Sequence, residues 1–328
     1  MKKIKFQPSV CIAAMPSGFR LFMTGLFLLS FGIVSLNAQV KLWGLASDGA
    51  SGFGSVFNLN VDGTDFSAYA LPGIAGQSPV YATPLKATNG KFYGVTNDGG
   101  LDGGGVLFEY DPAGAGTYKV LHYFQYQSGY YGIGSLLESG GKLYGMTMGG
   151  GDFDSGVIFE YDPAGAGTYT VLHHFEIATG NGPIGSLLES GGKLYGVTFT
   201  GGTGGVGVFF EYDLSSDAYT VLHDFQYGNG SFGIGKPVEK NGKFYGLTYG
   251  GGVSDVGVIY ELDPANNNNY TVLHNFESAT GSSPYGSLIE SGGKFYGMTQ
   301  FGGTNLDGGV LFEFDPAEIG RASCRERV

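Results

Sequence analysis

Four histidines, His122, His173, His223 and His274, recur at intervals of 51, 50 and 51 residues, and His174 is the only other one. Histidine in an acidic chain suggests a metal, since a neutral imidazole ligates zinc at about 2.0–2.1 Å. The spacing argues against that. Residues repeated once per structural unit lie a whole unit apart and do not converge on one ion, so each histidine is expected to make one local hydrogen bond in its own unit. The carboxylates repeat in the same way. Glu160 and Asp162 have counterparts in other units, whereas a hydrolytic acid pair needs two carboxyl groups about 5–10 Å apart. Asp before a Pro turn is expected to cap backbone N–H groups, and the repeated Lys to lay its stem along the sheet. No HExxH, phosphate-binding Lys loop or GxSxG elbow is present; Gly134-Ser135 lacks the second Gly of the elbow and the helix after it. Asp152-Phe153-Asp154 offers the oxygen ligands that Ca²⁺ takes, but not in EF-hand order. Calcium at Asp152 and Asp154 is the one cofactor the sequence suggests, and otherwise none is expected.

These residues sit in a repeat of about fifty residues. The string Gly-Lys-[Phe/Leu]-Tyr-Gly-x-Thr places its Lys at Lys91, Lys142, Lys193, Lys243 and Lys294, and a degenerate KLWG begins at Lys41. Each copy leads through a Gly-rich stretch to a second string, GVIFEYD at Gly156–Asp162 in one unit, then to YTVLHHF at Tyr169–Phe175 and to IGSLLESG at Ile184–Gly191. Four short runs rich in Val, Ile, Tyr, Phe, Leu and Thr, bounded by Gly or Asp-Pro, read as four strands. We label them A (GSLLES), B (KLYGMT), C (VIFEYD) and D (TVLHHF).

The A–B connection, Glu138-Ser139-Gly140-Gly141-Lys142, is short and Gly-paired as a tight hairpin requires. The C–D connection carries Asp-Pro and later Gly, another turn signal. The B–C and D–A connections run to about ten residues. A four-stranded sheet of this size has two apolar faces and buries both only by packing face to face with copies of itself around an axis. A β-helix needs shorter coils, and leucine-rich repeats need a helix and a period of roughly 20–29. The expected fold is all-β, a β-propeller of four-stranded antiparallel blades. About six blades are present, the first without A and the sixth without D, so closing the ring needs at least about 25–30 further residues.

The motif set of residues 39–316 resembles the Gloeo/Verruco-type tandem repeat of bacterial choice-of-anchor proteins. The doubled glycines Gly149-Gly150, Gly201-Gly202, Gly250-Gly251 and Gly302-Gly303 are also kelch-like, although the kelch Trp is missing and Trp43 is the only Trp. The resemblance implies a secreted, surface-attached propeller with a variable C-terminal anchor or sorting signal, and no particular activity.

Lys2, Lys3, Lys5 and Arg20 precede the apolar run 21–36 and Asn37-Ala38, the layout of a secretory signal peptide, here 1–38, cut after Ala38. Once it is removed, no membrane insertion is expected. Residues 319–328 (IGRASCRERV) match the translation of a sequencing-adapter read and are expected to be a non-native tail. Both cysteines, Cys11 and Cys324, fall in these ends, so the body 39–318 uses no disulfide. It carries 10 basic and 28 acidic side chains, a net of −18. So acidic a body does not suit nucleic acid. With 62 Gly in 328 residues but 15% aromatic side chains, the chain is rich in turns and still has the surface to fold.

In a meander, successive connections alternate between two faces, so all the long ones share a face. There the sequence gathers Tyr126, Tyr130, Tyr131, Phe153, Phe199, Tyr227, Phe232, Tyr249, Tyr285 and Phe301, with Asp98, Asp102, Asp152, Asp154, Asp255 and Asp307. Loops on a rigid scaffold commonly carry function, and aromatic rings beside acids suit glycan or protein contacts. The expected protein is therefore an extracytoplasmic, surface-displayed binding or adhesion module, monomeric when its ring is complete, and not an enzyme. A purely structural spacer is the alternative. A polysaccharide lyase or hydrolase would have to draw on non-repeated groups such as Asp152, Asp154 and His174.

Overall fold

The B and C strings pair as antiparallel neighbours, so that in the third unit Val157 lies opposite Thr147 and Tyr161 opposite Leu143. The computed structural model describes residues 41–46, 54–61, 64–71, 76–79, 82–113, 116–164, 167–303 and 308–318. The expected signal segment 1–38, the tail 319–328 and Asp307 lie outside them. Within the described residues are six antiparallel sheets, the blades of a β-propeller. The third blade is typical: strand A is Tyr130–Ser139, B Lys142–Gly149, C Val157–Asp162 and D Thr168–His174, side by side in that order. The first blade holds B, C and D at Lys41–Ala46, Ser55–Asn60 and Ser67–Ala70. The sixth holds A in two pieces, Ser282–Pro284 and Ile289–Ser291, then B at Lys294–Phe301 and C at Leu311–Phe314. No helix among the described residues is long and apolar enough to cross a membrane.

Alternation along each strand sends successive side chains to opposite faces, and here both faces are buried. Leu143, Val157, Phe159 and Tyr161 of the third blade pack with Tyr93, Val95 and Leu107 of the second. Their neighbours Tyr144, Met146 and Ile158 pack with Leu187, Leu194 and Phe210 of the fourth. Each core therefore lies between two blades, and the same pattern joins the fourth to the fifth and the fifth to the sixth. The Gly of each B string makes room for this packing. At Gly145 an added Cβ would stand 2.5 Å from Phe159 Cζ and 2.7 Å from Leu136 Cδ2, because the Phe ring lies across the Gly opposite it in register.

Other motif residues have equally local jobs. The buried Thr147 hydroxyl accepts the Val157 N–H at 3.1 Å and donates to the Gly149 carbonyl at 3.0 Å, fixing the mouth of the B–C loop. Asp162 accepts the Ala164 N–H at 2.8 Å and so caps the C–D turn. The Lys142 ammonium bridges across to Glu160 on strand C at 2.7 Å, and the pairs Lys91–Glu109, Lys193–Glu211, Lys243–Glu261 and Lys294–Glu313 repeat it at 2.5–2.7 Å. In the A–B hairpin Gly140 and Gly141 take φ of +58° and +79°, the pair of positive values a two-residue type I′ turn demands. The B–C loops carry positive-φ glycine pairs at Gly99-Gly100, Gly150-Gly151, Gly201-Gly202, Gly251-Gly252 and Gly302-Gly303; two of them, Gly150-Gly151 and Gly251-Gly252, lie one residue beyond the doublets picked out from the sequence.

Strand A faces the axis. Gly134, Gly185, Gly235 and Gly286 from successive blades form an arc in which an added Cβ at Gly134 would lie 1.9 Å from the Gly185 carbonyl oxygen, and one at Gly185 2.3 Å from that of Gly235. Side-chain hydroxyls link the same strands: Ser135 Oγ accepts the Thr83 N–H, Ser186 Oγ the Ser135 N–H and Ser287 Oγ the Lys236 N–H, each at 2.8 Å.

Phe159 serves an inter-blade core and covers a glycine, so Phe159→Ala should cost about 3–5 kcal/mol. Urea unfolding followed by circular dichroism is expected to show a lower midpoint for this variant. An unchanged midpoint would mean that the core between blades two and three is not tightly packed.

Candidate functional site

The B–C and D–A loops emerge on one side of the blades, and the loop aromatics gather into two runs. Tyr126 stacks on Tyr130 with centroids 6.2 Å apart, and Tyr130 meets Tyr131 edge-on at 4.6 Å, where the second blade hands over to the third. Across the fourth to sixth blades Tyr227, Phe232, Phe199, Tyr249 and Tyr285 form a chain of ring contacts at 4.9–6.4 Å. Phe153 and Phe301 are exposed and join neither run.

The first run lines a cavity of about 420 Å³ with Asp102, Gly103, Gly104, Phe124 and Gln125. Gln125 donates from Nε2 to Asp102 Oδ2 at 2.6 Å, which leaves the other carboxylate oxygen as an acceptor; the Gln125 side chain also accepts from the backbone of Ser128. Tyr130 donates its hydroxyl to Asp154 Oδ1 at 2.5 Å; this bond first, and burial after it, pushes the phenol up to about 12. The ring is thus pinned by its hydroxyl, between Tyr126, Tyr131 and the backbone of Gly149. Gln125 drew no attention in the sequence because its position recurs as Glu176, Gln226 and Glu277.

Tyr131 has φ of +59°, and Phe232, its counterpart two blades on, +62°. Left-handed backbone is unfavourable for a bulky side chain by roughly 1–2 kcal/mol. The backbone imposes it: the Tyr131 N–H donates to the Gly104 carbonyl at 2.8 Å and the Phe232 N–H to that of Val206 at 2.7 Å. In the fourth blade the same position is Gly182, at φ +59°. Glycine would thus meet the backbone requirement, and Tyr131 and Phe232 place large rings on the loop face against that preference.

Asp154 is occupied within its loop, since its Oδ1 also accepts the Gly150 N–H at 3.1 Å. Asp152 lies with its carboxylate 3.7 Å from the His174 ring nitrogen, which accepts the Asp152 N–H at 3.0 Å. Among the described residues no group of three or more His, Cys, Asp or Glu is placed to share an ion.

The repeated histidines also work between blades; the local hydrogen bond expected for each is present at His122 and missing at Nε2 of His173 and His223. His122 stacks on Tyr169 of the next blade at 3.8 Å and 1°, His173 on Tyr219 at 3.9 Å and 6°, and His223 on Tyr270 at 3.8 Å and 3°. His122 Nε2 reaches Ser128 Oγ at 3.2 Å, while Nε2 of His173 and of His223 is buried without a hydrogen-bond partner. The partner tyrosines donate to carbonyls of the preceding D–A loop, Tyr169 to Ser128, Tyr219 to Thr179 and Tyr270 to Asn229. Burial pushes His122, His173 and His223 down to about 4; the neighbouring His174 adds to it at His173, and Asp224 opposes it at His223.

The profile of the Gloeobacter/Verrucomicrobia repeat matches residues 32–232 and 166–323. No curated protein matches the chain. Among solved structures, the nidogen/laminin complex contains a chain that superposes with a TM-score of 0.50 at 12% identity, over 88% of this chain and 93% of that one. The extracellular domain of a B. thetaiotaomicron protein assigned to a hybrid two-component system gives 0.55 at 12% identity, over 89% of this chain and 34% of the other. TolB from Acinetobacter baumannii gives 0.52 at 14%, over 84% and 61%. At these identities the likeness is one of fold.

Because the folded state holds these histidines neutral while the unfolded chain titrates near 6.5, acid favours unfolding. Their contribution is complete above about pH 6.5 and is lost as pH falls toward 4. Thermal unfolding between pH 7.5 and 4.5 is expected to show the midpoint dropping from about pH 6.5 downward, with a smaller drop in a His173→Asn, His223→Asn double variant. An equal drop in both proteins would place the acid sensitivity elsewhere.

Proposed function

The chain belongs to the Gloeobacter/Verrucomicrobia repeat family, and on that premise we propose that it is an exported binding propeller that presents its long-loop face to a glycan. The observation that carries this reading is Tyr131, held at φ +59° beside Tyr126 and Tyr130 in the cavity that also contains Asp102 and Gln125. Strained residues cluster at ligand sites because the surrounding fold over-determines them. Rings with an apolar face and a polar tip, next to a free carboxylate oxygen, provide what a sugar needs: a flat surface for its C–H face and partners for its polar groups. The basic n-region and apolar run before Ala38 support export. The extracellular domain of the B. thetaiotaomicron protein is an example of a similar fold outside the cytoplasm.

A protein partner is the second reading, favoured by the five-ring run from Tyr227 to Tyr285. It is longer than the first run and spans three blades, as an interface anchor would. Neither reading calls on a catalytic group. Of the groups that a lyase or hydrolase would need, Asp154 and His174 are engaged in loop contacts, and the exposed Asp152 carboxylate lies 3.7 Å from the His174 ring nitrogen.

An oligosaccharide array read with the native chain should return at least one retained ligand. Tyr130→Ala and Tyr131→Gly should each weaken its binding at least tenfold, a loss of about 1.4 kcal/mol. Tyr131→Gly should barely change the melting temperature, because relief of about 1–2 kcal/mol of backbone strain offsets the extra freedom of glycine in the unfolded chain. Unchanged binding in both variants would remove the cavity from the function. A strongly destabilised Tyr131→Gly would show that the ring serves packing.

A further inference from the structure

Where the second blade meets the third, the loop cavity of about 420 Å³ holds one charged side chain, Asp102, among the rings of Tyr126, Tyr130 and Tyr131. The N–H groups of Gly105, Gly156, Gly207 and Gly257 close successive B–C loops by donating to the carbonyls of Gly99, Gly150, Gly201 and Gly251. Counted from these glycines, the place of Asp102 is taken by Phe153, Gly204 and Ser254 in the next three blades. The aromatic positions recur more closely. Where the fourth blade meets the fifth, Gln226, Tyr227 and Phe232 stand in the places of Gln125, Tyr126 and Tyr131, and there Gly204 brings no carboxylate to the rings. The acid at the first junction is thus a local addition that the repeat does not require.

Asp102 is held in place from behind. Gln125 donates to its Oδ2, the Gln125 N–H donates to Ser128 Oγ at 3.1 Å, and that hydroxyl lies 3.2 Å from His122 Nε2. The second carboxylate oxygen, Oδ1, keeps its lone pairs for a ligand. Among the described residues no cation stands within ion-pair distance of Asp102, whereas every strand B lysine from the second blade to the sixth has its glutamate. No residue lining the cavity is basic. The site therefore combines a positioned negative charge without a counter-ion and aromatic rings, of which Tyr126 is 57% exposed. A mouth with one sign of charge concentrates ligands of the other.

Resting on the glycan reading given above, we propose that the sugar bound in this cavity carries a free, protonated amine, with its ammonium at Asp102 Oδ1 and beside the rings of Tyr126 and Tyr131. An ammonium gains charge-assisted hydrogen bonds from the carboxylate and is attracted by the quadrupole of a phenol ring. A sugar hydroxyl can bond to the same oxygen but brings no charge to it. Acetylation of the amine removes the charge, so the ligand class is an unacetylated amino-sugar oligosaccharide.

Titration calorimetry of the full chain with tetrasaccharides of glucosamine, N-acetylglucosamine and glucose, alike in linkage and measured with the glucosamine amines protonated, tests this. The glucosamine tetramer should bind about tenfold more tightly than either neutral one, and added salt should weaken its binding alone. Asp102→Asn, which keeps an acceptor for Gln125, should bring the glucosamine affinity down to that of the neutral pair and leave theirs unchanged. Asp102→Gly, the residue at this place in the fourth blade, should do the same, and the melting temperatures of both variants check their folds. No heat with the glucosamine tetramer, equal affinity for all three, or an advantage of glucosamine that survives both substitutions would overturn the proposal. Equal binding of all three that is lost in Tyr131→Gly would overturn it while leaving the glycan reading intact; an oligosaccharide array without any retained ligand removes both.

Discussion

Everything in this molecule depends on burying both faces of a sheet. A blade of about fifty residues has apolar side chains on either side of strands B and C, and among the described residues no helix or second layer covers them. Only another blade does. The cores therefore lie between units: Leu143 and Phe159 belong to one, and Tyr144 and Ile158, one residue along each strand, to the next. With no cysteine in the described residues, cohesion comes from repeating the same interface, and stability is close to a sum over neighbouring pairs.

The architecture was readable in the sequence because each level of the signal agreed. Strand strings, Gly-paired hairpins and Asp-Pro turns recur in the same order every fifty residues, and a sheet of that size has few ways to hide two faces. What escaped were contacts that cross from one unit to the next. His173 and Tyr219 are 46 residues apart and belong to different copies of the motif, so their stacking becomes visible only once the blades stand side by side. The Lys142–Glu160 bridge was hidden for a related reason, since it depends on which residues of B and C lie opposite each other. The loop aromatics stand out in the sequence because they break the repeat, but their division into two runs, with Phe153 and Phe301 in neither, depends on the curvature of the ring. The left-handed backbone at Tyr131 has one trace in the sequence, the glycine at the same position of the fourth unit.

The repeat also divides the labour. Positions that recur hold the blades: Thr147 at the loop mouth, Asp162 at the turn, Gly145 under its Phe. Positions that vary lie on the long-loop face, Asp102 and Tyr131 among them. Such a scaffold tolerates change at the second kind of position because the first kind already satisfies its backbone and core. The strain at Tyr131 is affordable for that reason.

The histidine stacks have a further implication. The second, third and fourth blades each offer a histidine forward to a tyrosine of the next, and the axial serines bond in the same sense, from one blade to the next. The contact surfaces are thus head-to-tail rather than mirror-related. An interface of that kind matches any copy of the unit to any other, so tandem duplication of one coding segment inserts a blade that is complementary to both its neighbours from the outset. Lineages of this protein can therefore change ring size by recombination alone, without redesigning a core.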